Sequence, residues 1–445
     1  MNLTIVSKIC RRLWCIGLLA GLTLQAATPI TVGSYALKVA ADRPEALYAR
    51  GDEAVFTLTL GREGQALPPD AEVRWVVTKD GVPLGREGVA KLQDGKATVR
   101  ARLDEPGFLR CTADFVPAGE TKLVAHAGAA YAPLAIAASL PPPADFDGFW
   151  AGQMELLAGT PANVRLTPVK SPLPGVECFD LQADIPGWAP LSAYLARPVG
   201  AQARTLPAIV LTHGAGVVKS RLSRAAECAR DGFVALDFNA NGLPNDQPPE
   251  FYAELRSGRL KEYYLKGRDH REEMYLRGIF LRLMRALETV TAQPEWDGRQ
   301  LVVSGRSQGG GQAIVAAGLD PRVTFIAAEI PAFCDLTGVV IGRINGWPHL
   351  LPDVPGKPDP ARLEVTRYYD AMNFATRTKA AAFFTVGFID AICPPTGVYA
   401  TYNQLTGPKQ IWNHVDTGHV SRLEYDARIR AEILRHIASA AAKSP

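Results

Sequence analysis

The chain has 445 residues, 47% hydrophobic and 21% charged, with 48 basic against 45 acidic side chains and a formal charge of +3. That is enough apolar material for more than one buried core, and it excludes a disordered chain. Lys8, Arg11 and Arg12 account for the whole excess, so the rest is formally neutral and presents no basic surface for nucleic acid.

Those three cations precede the apolar run Leu13 to Leu24, which ends in Gln25-Ala26-Ala27. A positive region, a short apolar region and small residues in that order make a secretory leader, too short for a spanning helix. Residues 1–27 are therefore expected to be removed, leaving a secreted or periplasmic protein with no membrane attachment; an uncleaved anchor is the alternative. Cys10 and Cys15 fall in the leader, and Cys111, Cys178, Cys228, Cys334 and Cys393 are scattered without metal-ligand spacing or a disulfide framework.

Residues 28–135 read as an all-β sandwich. Ala54 to Leu60, Val73 to Thr78, Ala97 to Leu103 and Phe108 to Phe115 alternate with period two, and turn clusters such as Lys79-Asp80-Gly81 separate them. Trp75 and Cys111 resemble the centre of an immunoglobulin-like core that lacks its second cysteine. Residues 136–144, with Pro141-Pro142-Pro143, form an expected stiff linker.

From 145 to 445 the pattern changes to apolar runs alternating with helical stretches. Ala208 to Thr212, Val234 to Asp237, Leu301 to Ser304, Phe325 to Glu329 and Ala382 to Val386 suit buried parallel strands; Arg221 to Asp231 and Glu272 to Gln293 suit the crossovers. An α/β sheet covered on both faces is the expected fold. Asn241 to Arg271 is an insertion that could frame a cleft.

Gly305-Arg306-Ser307-Gln308-Gly309 follows one such strand and precedes a helical stretch, Gln312 to Ala317. The Gly-x-Ser-x-Gly spacing lets the chain turn sharply and push Ser307 into an exposed, strained position, with the next helix's N–H groups facing developing negative charge. A nucleophilic serine needs a base and a carboxylate to orient that base, in the chain order Ser, Asp, His for an open α/β sheet. Asp390, at the end of the run Phe383 to Ile389, and His419, in the loop after Gln410 to Asn413, satisfy this order; Asp416 and His414 are rivals. Oxyanion donors are expected from the N–H of Gln308 and of Ala215 in the loop Thr212-His213-Gly214-Ala215-Gly216, with His213 as a supporting residue.

The stretches Asp145 to Trp150, Lys170 to Glu177, Ser307 to Gly310, Tyr369 to Asn373, Gly387 to Pro395 and Gly407 to Lys409 resemble the acetyl xylan esterase and cephalosporin C deacetylase family of α/β-hydrolases. The resemblance spans roughly residues 140–437. It implies an α/β-hydrolase fold, a serine esterase with Ser307, Asp390 and His419 as its catalytic residues and Ala215 and Gln308 as its oxyanion donors, no metal or organic cofactor, and acetylated carbohydrate or another small ester as substrate. Asp237 to Gly242 departs from the family's Arg-Gly-Gln, Val420 stands in place of its Glu, Ala215 replaces an aromatic residue, and the β-domain is an addition that could alter any homo-oligomer. A serine peptidase, another ester hydrolase of this fold and a non-catalytic exported binding protein are the competing readings.

Overall fold

The computed structural model describes residues 29–352 and 358–442; the expected leader lies outside the described residues. The chain opens with strands β1 (Ile30–Val32), β2 (Tyr35–Ala41), β3 (Leu47–Tyr48), β4 (Glu53–Arg62), β5 (Glu72–Lys79), β6 (Val82–Lys91), β7 (Lys96–Arg102), β8 (Gly107–Phe115) and β9 (Leu123–Tyr131). They form two sheets, β1-β2-β4-β7 and β3-β9-β8-β5-β6. Period-two patterning explains the packing. Ala54, Phe56, Leu58 and Leu60 of β4 share a core with Val73 and Val77 of β5 and Leu109, Cys111 and Ala113 of β8. Trp75 packs at the edge of that core, across Gly88 of the neighbouring strand. All five cysteines among the described residues are free.

The alternation after residue 145 becomes one nine-stranded sheet: β10 (Arg165–Val169), β11 (Val176–Ala183), β12 (Leu191–Pro198), β13 (Leu206–Leu211), β14 (Val234–Phe238), β15 (Trp296–Arg306), β16 (Phe325–Glu329), β17 (Ala381–Gly387) and β18 (Lys409–His414). Its order is β10-β11-β12-β14-β13-β15-β16-β17-β18, with β10 to β12 antiparallel and the remainder parallel. Successive residues of the central strands feed opposite cores. Ile209, Val302 and Phe383 meet Ile429 and Ile433 of the helix Leu423–Ala442, while Val210, Val303 and Phe384 point into the core that holds Phe280 and Leu283 of the helix Tyr275–Thr291.

Several boundaries differ from the sequence expectation. The antiparallel strands β10 to β12 extend the sheet beyond the five apolar runs. The helix expected at 312–317 starts at Gln308 and runs to Leu319, because Gly309, Gly310 and Gly311 pack where no side chain fits. The insertion 241–271 contains the helix Pro249–Ser257 and a short turn, Tyr263–Leu265.

The first nine strands sit directly on the larger sheet's loops. Phe108 of β8 lies edge-on against Phe388 at 5.1 Å, and a Cβ at Gly128 of β9 would come within 2.9 Å of the Phe388 carbonyl oxygen. Thr396 donates to the buried carboxylate of Asp80 at 2.5 Å, and Ile344 N–H donates to the Asp80 carbonyl at 3.1 Å. The connecting segment is also held: Ser139 N–H donates to Asp335, and Arg367 donates to the carbonyls of Pro141 and Pro142.

Candidate active site

Ser307 caps β15 at φ +56°, ψ −119°, a left-handed conformation that side chains rarely adopt and that places it at the turn into the helix Gln308–Leu319. Close packing dictates the flanking residues. A Cβ at Gly305 would lie 1.8 Å from Thr212 Oγ1, and one at Gly309 would lie 2.9 Å from the Thr212 carbonyl carbon. The strain is held by backbone bonds on both sides: Ser307 N–H donates to Glu329 O at 2.8 Å, and Ser307 O accepts from Ala332 N at 2.9 Å.

Three distant side chains converge here. Ser307 Oγ and His419 Nε2 are 2.9 Å apart, and His419 Nδ1 is 2.8 Å from Asp390 Oδ2. The other Asp390 oxygen accepts from the N–H groups of Ile392 and Cys393 at 2.8 and 2.9 Å, so the carboxylate, 1% exposed, is fixed in one orientation. With a carboxylate on Nδ1, the hydrogen-bond network places the imidazole proton on that nitrogen and leaves Nε2 to accept from the serine hydroxyl. Proton abstraction from Ser307 needs that arrangement.

The rivals lie elsewhere. His414 stacks on Tyr425 with ring centroids 3.9 Å apart and meets Trp412 edge-on at 4.3 Å, and burial pulls its proton affinity down to about 4. His213 is fully engaged by its own neighbourhood: Nδ1 donates to Gly214 O at 2.7 Å, and Nε2 accepts from Ala240 N at 3.0 Å. Burial lowers it to about 4, so it is neutral support for the loop rather than a base.

Ala215 lines the same cavity as Ser307 and His419, and Gln308 is the first residue of the helix. Side chains outside the expected set organise this corner. Tyr263, from the insertion, donates to Gln308 Oε1 at 2.5 Å and accepts from Gly216 N at 3.2 Å. Asn239 donates to Val218 O and Asn241 to Gly216 O, at 2.6 and 2.8 Å. The departure at Asp237 to Gly242 thus supplies amides that hold the loop carrying Ala215. Ser421 donates to Glu329 at 2.9 Å, tying the His419 loop to the end of β16; burial, opposed by that bond, raises the Glu329 carboxyl above its ordinary value. None of these long-range pairings has a local signal in the sequence.

The cavity has a volume of about 1180 Å³, and Val218, Trp347 and Ile392 are among its apolar lining. Asp390, Cys393 and His419 bring their donor atoms within 4.8 Å of one another. Both Asp390 oxygens and both His419 nitrogens are committed to the hydrogen bonds above. Burial holds the Cys393 thiol well above its usual range, away from the thiolate a soft cation needs. This donor set fits proton transfer rather than a resident metal.

A model of the acetyl xylan esterase family matches residues 137–436. The acetyl esterase Axe7A of Xylanibacter ruminicola is 30% identical over 370 residues, covering 82% of each chain. That match is longer than the stretch from residue 137 to the C-terminus, so it runs into the N-terminal strands. Among solved structures, an acetyl xylan esterase from Paenibacillus sp. R4 is 26% identical with a TM-score of 0.59, covering 68% of this chain and 98% of that one. Acetyl xylan esterase 1 from Thermoanaerobacterium sp. JW/SL YS485 shares the fold at 24% identity and a TM-score of 0.58, covering 68% of this chain and 97% of its own. With the family model matching well over half the chain, this protein belongs to the acetyl xylan esterase family and is a serine carboxylic-ester hydrolase of the α/β-hydrolase fold.

Proposed function

We propose that the protein removes acetyl groups from xylan-derived or other carbohydrates through a covalent acyl-enzyme on Ser307. The observation that carries this reading is the unbroken chain Ser307–His419–Asp390, at 2.9 and 2.8 Å. His419 Nε2 takes the hydroxyl proton as Ser307 Oγ bonds to the ester carbonyl carbon, while Asp390 stabilises the imidazolium. The N–H groups of Ala215 and Gln308 hold the oxyanion. Collapse expels the sugar alkoxide, which receives the proton from His419 and leaves acetyl on Ser307. Water, deprotonated by His419, then releases acetate and restores the serine.

The names of the relatives support acetyl as the acyl group and xylan as the polymer, and Ala215 and the apolar lining of Val218, Trp347 and Ile392 suit a small apolar acyl group. The leader-like N-terminus supports action outside the cytoplasm after loss of residues 1–27. The paired N-terminal sheets support an immunoglobulin-like sandwich over residues 28–135.

Hydrolysis of acetylated xylo-oligosaccharides, followed as acetate release, and of longer-chain esters and peptide amides, followed as release of their own acids and amines, tests the reading in the native protein and in Ser307→Ala. The native protein should favour the acetylated sugars, and Ser307→Ala should lose on the order of a millionfold in kcat. Native-like turnover in Ser307→Ala would falsify the mechanism; faster cleavage of amides would favour a peptidase.

A further inference from the structure

A second cavity, of about 370 Å³, is lined by Trp188, Asn241, Arg259, Leu260, Tyr275 and Arg282, among others. Its charge is unusual. Arg282, only 1% exposed, donates from Nε to Ala189 O at 2.8 Å and from Nη1 to Ala240 O at 3.0 Å, both neutral carbonyls. Among the described residues no carboxylate pairs with Arg282 or Arg259, and no acidic side chain lines the cavity. Arg259, Arg282 and Tyr275 line this one cavity together. A buried cation without a counter-ion is costly, and an arginine remains charged, so the cavity favours an anionic ligand.

The walls specify what carries that anion. Trp188 is locked against the backbone of Gly278, where a Cβ would fall 2.6 Å from the indole, and stands edge-on to Tyr275 at 5.7 Å. Rigid aromatic walls with a few convergent polar groups suit an organic ring rather than a bare inorganic ion. Asn241 belongs to both neighbourhoods. It accepts from Tyr275 Oη at 3.1 Å and donates to Gly216 O at 2.8 Å, one residue from the proposed oxyanion donor Ala215.

We propose that this cavity is a subsite for a carboxylate-bearing sugar, in which Arg259 and Arg282 take the carboxylate and Trp188 and Tyr275 bound the ring. Its link to turnover rests on the deacetylation reading above; the binding does not.

Calorimetric titration of the Ser307→Ala protein, which holds ligand without consuming it, tests the subsite with D-glucuronate, glucose and inorganic phosphate. Glucuronate should bind at least about tenfold tighter than glucose or phosphate, the value of charge-assisted bonds added to ring contacts. Arg259→Met, at an exposed position, should lose about that factor, with Arg282→Met as the second variant and thermal unfolding confirming that each is folded. Equal binding of glucose and glucuronate, equal binding of phosphate, or undiminished glucuronate binding by folded Arg259→Met overturns the assignment. Failure of the catalytic reading shows separately, as retained ester hydrolysis by Ser307→Ala with glucuronate binding intact.

Discussion

The ring of His414 lies in an aromatic stack with a buried Nε2 that has no hydrogen-bond partner. Its proton affinity falls from 6.5 to about 4 on folding, as does that of His213, in both cases chiefly through burial. The unfolded chain takes up these protons near pH 6.5, and the folded chain does so only near pH 4. Stability from the neutral rings is therefore complete above about pH 6.5 and is lost as pH falls toward 4. In His414→Phe one of these two uptake sites is gone, so the urea midpoint should decline less steeply between pH 7 and 5 than in the native protein. An identical decline would show that His414 carries no part of the acid sensitivity. Residues of this kind were hard to read from sequence, since His414 and His419 lie five apart near the end of one strand. What separated them is local: His419 sits in a glycine-containing loop beyond β18, free to approach Ser307, whereas His414 is that strand's last residue. Tyr263, Asn241 and Glu329 gave no such clue, because each acts through a partner far away in sequence.

At the level of the element, the turn from β15 into its helix is defined by what cannot fit. Gly309→Ala would drive a methyl to 2.8 Å from Thr212 Oγ1 and 3.0 Å from His213 N, so the loop that begins at Thr212 or the helix start must yield. The expected outcome is a loss of about 1–3 kcal/mol in stability together with a fall in kcat, read by thermal unfolding and by initial rates. Gly148→Ala is the control: it lies in the helix Phe146–Ala158 with open space around it, and should leave both quantities close to native. If both variants behave alike, close packing at the elbow is not what fixes Ser307. The parallel strands were legible because burial on both faces makes them continuous apolar runs. β10 escaped because it is an edge strand with four of its five residues exposed, and β12 because a buried antiparallel strand carries no helical crossover to mark it.

Across the whole molecule, the N-terminal sheets are seated on the segment that carries Asp390. Arg110 and Gly128 are paired across β8 and β9, on the face that meets Phe388; burial lowers the proton affinity of the Arg110 guanidinium, and the Asp390 charge opposes that fall. Gly128→Val should therefore act at a distance. Its side chain collides with the Phe388 backbone two residues before Asp390, and kcat should drop by more than tenfold while KM changes little, since the cavity wall is left in place. Unchanged steady-state kinetics in a folded Gly128→Val protein would mean that the contact is incidental. Sequence patterning read the strands of this region one at a time, but their seating depends on pairings such as Asp80 with Thr396, which local periodicity does not encode.

That seating bears on how the enzyme is handled. Trimming the gene to the 300 or so residues that resemble shorter relatives would strip the cover from Phe388 and Tyr399 and leave the Thr396 hydroxyl without its acceptor. The product should be an aggregating, poorly expressed fragment instead of a leaner catalyst, and heating the intact chain should melt both parts in a single calorimetric peak.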